Sequence, residues 1–369
     1  METAQVIAKS EAVKSSSGRF YRPELDALRF LAFSLVFLYH STSVAGGRHG
    51  VQVFFVLSAF LITELLLRER DRTGNVNISA FYIRRGLRIW PLYFTMLMLC
   101  FVFTLLVHYP RPAIEWLSYL VITGNLYTAF SGHYLPWGWM VLWTITVEEQ
   151  FYLLWPTLIK LGGRRGIVLI SSVIWVVGQI ACVSIAIHVG SQVYAARLWT
   201  DSLVNFQYFA VGAILAVFLH DKKVALPGWA RILLLIFGLL TFQLSSIGSW
   251  LHLQGTQMTV LAYLVYLATG VGAACILIAA IGFHVPVRLQ WAIHLGKISY
   301  GLYVFHEIFV LLAGDIGAAV FHIHHLATVK MYWLSIPLTL LTASLSYRYL
   351  ETPFLRLKGR FEIVKSRPV

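Results

Sequence analysis

Charged side chains are scarce in this chain. Asp, Glu, Lys and Arg together make up 12% of its 369 residues, about half the share of a soluble globular domain. A water-facing surface cannot be built from so few, which excludes an ordinary soluble enzyme. Cysteine is scarce too. Cys100, Cys182 and Cys275 lie far apart inside apolar runs, so they form neither a disulfide framework nor a metal spacing and read as packed thiols. No Walker loop, HExxH pattern, coiled-coil heptad or internal repeat is present. With them go several common ways of binding a nucleotide or a catalytic metal, and no metal is expected. The opening METAQVIAKSEAVKSSSGRFYRPE lacks an apolar core and reads as a short cytoplasmic tail, not a cleaved signal.

What is abundant is apolar surface: 58% of residues are hydrophobic and 15% aromatic. The fold class expected is all-α, a polytopic membrane bundle of about ten helices. The spans fall at roughly 26–46, 50–67, 91–109, 138–160, 166–189, 202–220, 229–247, 258–282, 296–318 and 330–350. One membrane domain (23–355) would lie between an N-terminal tail (1–22) and a basic C-terminal tail (356–369), with no room for a second catalytic domain. An even number of crossings puts both termini on one side. With that side cytoplasmic, 24 Lys and Arg residues fall on it and only Arg48, Arg111, Arg197 and Lys330 opposite, as the positive-inside rule requires. The net charge of +13 therefore reports topology in an inner (plasma) membrane and an anionic cytosolic ligand. It does not call for nucleic acid.

Two connections are long. The stretch 68–90 ends in arginines mixed with Phe81, Tyr82, Ile83, Leu87, Ile89 and Trp90, a pattern for an interfacial helix leading into the third span. The other, 110–137, contains EWLSYLVITGNLYTAF, too short to cross comfortably and expected as a re-entrant or surface-lying helix. His322, His324 and His325, in FHIHHL, read as a solvated external loop.

Chemistry concentrates in the few polar residues inside spans. Arg29 and His40 lie eleven positions apart in the first, about 16 Å along a helix and within about 20° of one face. Glu148 and Glu149 fall near the middle of the fourth span, and His306 and Glu307 about ten residues into the ninth. Each charge at such depth costs at least about 2.5 kcal/mol, so mutual partners are expected. A buried His and Glu cluster suits general base chemistry, in which a carboxylate orients an imidazole; a structural polar network is the plainer use. Near the cytoplasmic edge, Arg85 and Arg88 share a helix face at i, i+3 with Arg29 at a similar level. Guanidinium forks there suit phosphates, whether of a nucleotide or of lipid headgroups.

These residues fall in six segments that come in order along the chain. They are YRPELDALRFLA (21–32) leading to His40, GVQVFFVLSAFLIT (50–63), FYIRRGLRIWPLY (81–93), LWTITVEEQFYLLWP (142–156), ISYGLYVFHE (298–307) and SYRYLETPF (346–354). Together they resemble the acyltransferase-3 family of integral membrane acyltransferases over nearly the whole length. Ala59 stands where the family's second-span motif often has glycine, which touches helix packing and no chemistry. The resemblance implies transfer of an acyl group, usually acetyl, from acyl-CoA to a hydroxyl of a carbohydrate or glycolipid acceptor. It also implies that Arg29 and His40 are the family's paired functional residues and that Arg85 and Arg88 handle the donor. The chain looks like a stand-alone member, without the extracytoplasmic hydrolase-like domain some members carry.

The expectation is thus an O-acetyltransferase with acetyl-CoA as donor co-substrate and membrane lipids around it. His40 would be the general base or a transient acyl acceptor, and Glu148 or Glu149 would orient it. His306 is a second candidate, with Tyr300, Tyr303 and Asn125 along the path. The rivals are a proton-coupled transporter or flippase using the same His and Glu residues, disfavoured by the lack of paired broken-helix repeats, and a non-catalytic scaffold. The acceptor, acyl length and oligomeric state leave no mark in the sequence.

Overall fold

The computed structural model describes residues 20–42, 44–188, 191–247, 255–321 and 332–364. Among them there is no β-strand, as lipid demands of a structure whose backbone groups must be satisfied within each segment. The long helices are α1 (Pro23–Thr42), α2 (Gly50–Thr73), α3 (Ile78–Leu106) and α6 (Leu142–His188), with the short α4 (Ala113–Leu120) and α5 (Gly124–Ser131) between α3 and α6. There follow α7 (Ser191–Thr200), α8 (Ser202–Leu219), α9 (Gly228–Ile247), α10 (Gly255–Ala280), α11 (Gln290–Lys297), α12 (Ser299–Phe321), α13 (Tyr332–Ser346) and α14 (Thr352–Lys358). All ten expected spans coincide with helices. Seven helical stretches are long and apolar enough to cross a membrane. The longest, α6, bends at Gly163 (φ 60°, ψ −173°), which divides it into the fourth and fifth spans. The polar residues of α1 and the fifteen-residue length of α13 keep those two outside the seven.

Three boundaries differ from expectation. The first span ends at Thr42, not near residue 46, because a 3₁₀ turn (Ala45–His49) folds the chain back. His40 therefore lies two residues from the far end of α1. The interfacial segment before the third span is not separate: Asn77 accepts a hydrogen bond from the Ala80 amide (2.9 Å), an N-cap from which α3 runs unbroken through Pro91. The 110–137 connection holds two short helices, α4 and α5, parted by Ile122 at φ 64°. His322, His324 and His325 of the FHIHHL segment lie outside the described residues.

Apolar burial gains little between helices surrounded by lipid, so close packing and polar ties hold such a bundle together. Phe151 of α6 stacks on Trp155 (4.8 Å) and on Phe209 of α8 (4.5 Å), which stacks in turn on Phe55 of α2 (4.7 Å). Ala59 is wholly buried where α2 meets α8. Asn125 is a staple: its amide nitrogen donates to Thr200 O (2.9 Å) and Ser202 Oγ (2.7 Å), and its oxygen accepts from Thr146 (2.9 Å) and Gln150 (2.7 Å). Cys100, Cys182 and Cys275 are free thiols, the first two buried.

The N- and C-terminal described residues meet at one end of the bundle. There Arg68 lies over the Phe20 ring (4.6 Å), Arg84 donates to Phe361 O (2.6 Å) and Arg164 pairs with Asp71 (2.8 Å). The same end holds Glu64, His220 and Asp221, whose donor atoms lie within 4.8 Å of one another. Arg68 already bridges Glu64 (2.6 Å) and Asp221 (3.0 Å), which makes this an ion-pair knot tying α2 to the end of α8.

Candidate active site

Two cavities lie inside this basic end and share one wall. The outer, about 890 Å³, is lined by Arg22, Asp26 and Arg29 from the start of the fold, Glu69 of α2, and Arg84, Arg85 and Arg88 of α3. Lys358 and Val364 close it from the C-terminal side. The inner, about 770 Å³, continues between α1, α2, α3, α6 and α12, past Ser58, Thr144, Glu148, Tyr152, Tyr300 and Tyr303. Arg29, Arg85 and Arg88 line both. The helix face expected to gather these three arginines does so.

Arg29 and Arg85 are held differently. Arg29 donates to Asp26 (2.6 Å) one turn before it on α1. Arg85 lies over the rings of Tyr152 (5.2 Å) and Phe81 (5.6 Å), contacts that suit a flat cation. The α1 register is set by contact with α11. A Cβ on Gly296 would come within 1.7 Å of Asp26 O, so only glycine lets the helices approach.

Beyond the inner cavity lies a second polar cluster. His40 Nδ1 is 3.1 Å from Glu307 Oε1, and its ring is 5.1 Å from that of His306. His306 Nδ1 donates to Tyr303 O (2.6 Å), which leaves Nε2 as the lone-pair nitrogen. That atom and Glu307 Oε2 are buried without a hydrogen-bond partner among the described residues. Buried polar atoms normally have one, so a polar ligand here would relieve a cost. Tyr303, whose ring is 5.6 Å from His306, links the cluster to the inner cavity; His40 itself lines neither cavity. The cluster's position depends on Gly138, in the turn Trp137–Val141, where a Cβ would lie 2.1 Å from Ile308 N. The turn can thus press directly on the backbone beside His306 and Glu307.

The carboxylate beside His40 is therefore Glu307, not Glu148 or Glu149. Glu148 faces the inner cavity and accepts from Tyr152 OH (2.8 Å), which also bonds Ser58. Glu149 accepts from Trp90 Nε1 (2.8 Å). Adjacent residues on a helix diverge by about 100°, and here they serve different neighbours. Tyr300 and Tyr303 line the inner cavity as expected, while Asn125 is spent on its four hydrogen bonds and lines neither. Sequence reasoning passed over Asp26, Ser58, Tyr152 and Lys358. Asp26 sits one turn from Arg29, a signal that was available. Lys358 lies beyond the last span, and no local pattern marks it.

No solved structure matches this chain. Among curated proteins it is 29% identical over 362 residues to a provisionally named O-acetyltransferase of Staphylococcus aureus strain MSSA476, covering 90% of this chain and 57% of that one. It is 28% identical over 372 residues to the O-acetyltransferase OatA of Staphylococcus aureus strain NCTC 8325 (92% and 58%). To the peptidoglycan O-acetyltransferase OatA of Listeria monocytogenes it is 27% identical over 364 residues (91% and 56%). The chain thus spans a little over half the length of these relatives. The model of the acyltransferase-3 family, described as an acyltransferase domain, matches residues 22–348. With that match the arginine-lined cavities and the histidine pair have a common setting: the chain belongs to the acyltransferase-3 family of membrane acyltransferases.

Proposed function

We propose that this protein is a membrane O-acetyltransferase that takes acetyl from acetyl-CoA at its basic, cytoplasmic end and delivers it to a carbohydrate hydroxyl near the opposite end. The observation that carries this is the alignment of three features. A phosphate-sized cluster of guanidinium groups, a polar inner cavity and a His–Glu pair follow one another from end to end of α1. Arg29 and His40 are about 16 Å apart by helical rise, and a pantetheine arm matches that distance.

Arg29, Arg85 and Arg88 fit the donor's phosphates, since guanidinium forks pair with phosphate oxygens through two parallel hydrogen bonds. The thioester end would extend past Glu148, Tyr152 and Tyr303. When bound, the donor supplies an acyl carbon open to attack by an oxygen. His40 is the base: with Nδ1 held by Glu307, Nε2 receives the acceptor's hydroxyl proton, and the Glu307 carboxylate stabilises the resulting imidazolium. His306, its Nδ1–H tied to Tyr303 O, offers Nε2 as a hydrogen-bond acceptor that positions the incoming hydroxyl.

The protein reconstituted in vesicles, given acetyl-CoA labelled in the acetyl group and a panel of glycan oligomers, tests this. Labelled ester on a glycan hydroxyl, with stoichiometric release of CoA, is the expected result. Label appearing only as free acetate, with every acceptor unmodified, would reject the carbohydrate assignment.

A further inference from the structure

Beyond α13 the described residues, up to 364, do not leave the bundle. A π-helical turn (Tyr347–Glu351) and α14 carry it back along α3, and Arg84 of α3 fastens it by donating to Phe361 O (2.6 Å). This return brings Lys358 and Val364 into the wall of the outer cavity. The Lys358 side chain is only 12% exposed and lies 3.2 Å from Glu362 Oε1. A largely enclosed ammonium facing arginines is costly, and a solvated tail would not hold one there.

The outer cavity is strongly electropositive. Its lining has six cations (Arg22, Arg29, Arg84, Arg85, Arg88 and Lys358) against two carboxylates, Asp26 and Glu69. Both carboxylates are already paired, Asp26 with Arg29 (2.6 Å) and Glu69 with Arg84 (3.2 Å). The three arginines on the wall shared with the inner cavity suit the diphosphate of CoA, whose pantetheine arm must run inward from there. The other phosphate of CoA, a 3′-phosphomonoester on the ribose, then stays in the outer cavity. It carries about −1.5 to −2 charges near neutral pH. The cations that line the outer cavity alone are Arg22, Arg84 and Lys358. Arg84 is engaged by Glu69 and Phe361 O, and Arg22 lies 3.9 Å from Glu24.

We propose that Lys358 is the recognition residue for the 3′-phosphate of CoA, presented by the folded-back C-terminal segment; this rests on the acetyl-CoA reading above. Glu362 would hold the ammonium until the phosphate takes it over.

The titration of this lysine makes the proposal measurable. Burial, Arg88 and Arg85 push the Lys358 ammonium down to about 8, against the opposing pull of Glu362. A phosphate beside it favours the charged form and raises that value in the complex. Affinity should therefore be nearly level around pH 7 and fall as pH rises through about 8, where the free protein loses the proton that binding needs. The groups facing Lys358 are Arg22, Asp26 and Arg29 from the N-terminal side, Glu69 of α2, Arg84, Arg85 and Arg88 of α3, and Glu362.

Calorimetric titration of the full-length protein in detergent, with acetyl-CoA and with 3′-dephospho-acetyl-CoA, decides the matter. Lys358→Ala should weaken acetyl-CoA binding at pH 7 by about ten- to a hundredfold, the range for a lost charge-assisted hydrogen bond. It should leave the dephospho ligand's affinity unchanged. Lys358→Arg should keep affinity at pH 7 and abolish the fall through pH 8. Glu362→Gln should move that fall to lower pH. Melting temperatures near wild type for the Arg and Gln variants separate these effects from misfolding. Equal losses for both ligands, or a wild-type pH profile in Lys358→Arg, would overturn the assignment. If wild-type protein binds neither ligand, the acetyl-CoA reading itself falls, and this inference with it.

Discussion

At the scale of single residues, the distinctive feature is that two half-buried chemistries are kept apart on one helix. Arg29 belongs to a basic cavity and His40, three turns on, to a His–Glu pair. If Glu307 orients His40, Glu307→Gln should lower the rate of acetyl transfer about a hundredfold and leave the KM for acetyl-CoA unchanged, while Glu307→Asp recovers part of the loss. His40→Ala should lose at least as much, the usual scale for a positioned base. Steady-state transfer of labelled acetyl to a glycan separates kcat from KM; wild-type kcat in both variants would remove the pair from the chemistry. Arg85 makes a different prediction, because its guanidinium lies over Tyr152 and Phe81. Arg85→Lys keeps the charge but loses the fork and the flat stack, so acetyl-CoA affinity should fall at least several-fold. Arg88→Lys should lose less. Direct binding measurements rank them, and identical affinities would mean that Arg85 contributes charge alone.

At the scale of elements, the long helices were legible because hydropathy over about 20 residues marks a span, and all ten windows fell on helices. Their ends were not. The stop at Thr42 comes from a 3₁₀ turn packed against α9, and the continuous start of α3 from one cap at Asn77. Partners of polar residues were half legible. Spacing on one helix predicted that Arg85 and Arg88 gather with Arg29, but which carboxylate meets His40 depends on how α12 lies against α1. That register follows from close backbone contact at Gly138, which no pattern in the sequence announces. Gly138→Ala should therefore act at a distance. Its Cβ would overlap the Ile308 amide and displace α12 where it carries His306 and Glu307. We expect at least a tenfold loss of kcat, a stability cost of about 1–3 kcal/mol and unchanged acetyl-CoA affinity, since the arginine cavity lies elsewhere. Loss of donor affinity in parallel with kcat would mean that the two regions are not independent. Asn125→Ala offers the contrast: four buried hydrogen bonds vanish, so the melting temperature should fall.

At the scale of the whole molecule, the architecture is polar from end to end. The basic end gathers the chain's first and last described helices and the outer cavity; the histidine pair sits toward the other end of α1, beside the turn at Trp137–Val141. A proton-coupled carrier also needs buried carboxylates and histidines, but it must expose one site alternately to both sides. On the proposed acetyl-CoA reading the donor's phosphates would dock at one end while the acceptor's hydroxyl would meet His40 from the other, and nothing would need to travel through except an acyl group on a flexible arm. Vectorial transfer would follow. In vesicles that hold a glycan acceptor inside, with the protein's basic end outward, externally added acetyl-CoA should yield acetylated glycan inside and free CoA outside. No pH difference across the membrane should be required, and collapsing one with an ionophore should leave the rate unchanged. His40→Ala should abolish the internal product and leave acetyl-CoA binding at the outer face intact. Appearance of CoA inside the vesicles, or a rate that vanishes with the gradient, would instead indicate that the whole donor or a proton crosses, and would reject transfer through a fixed two-ended site.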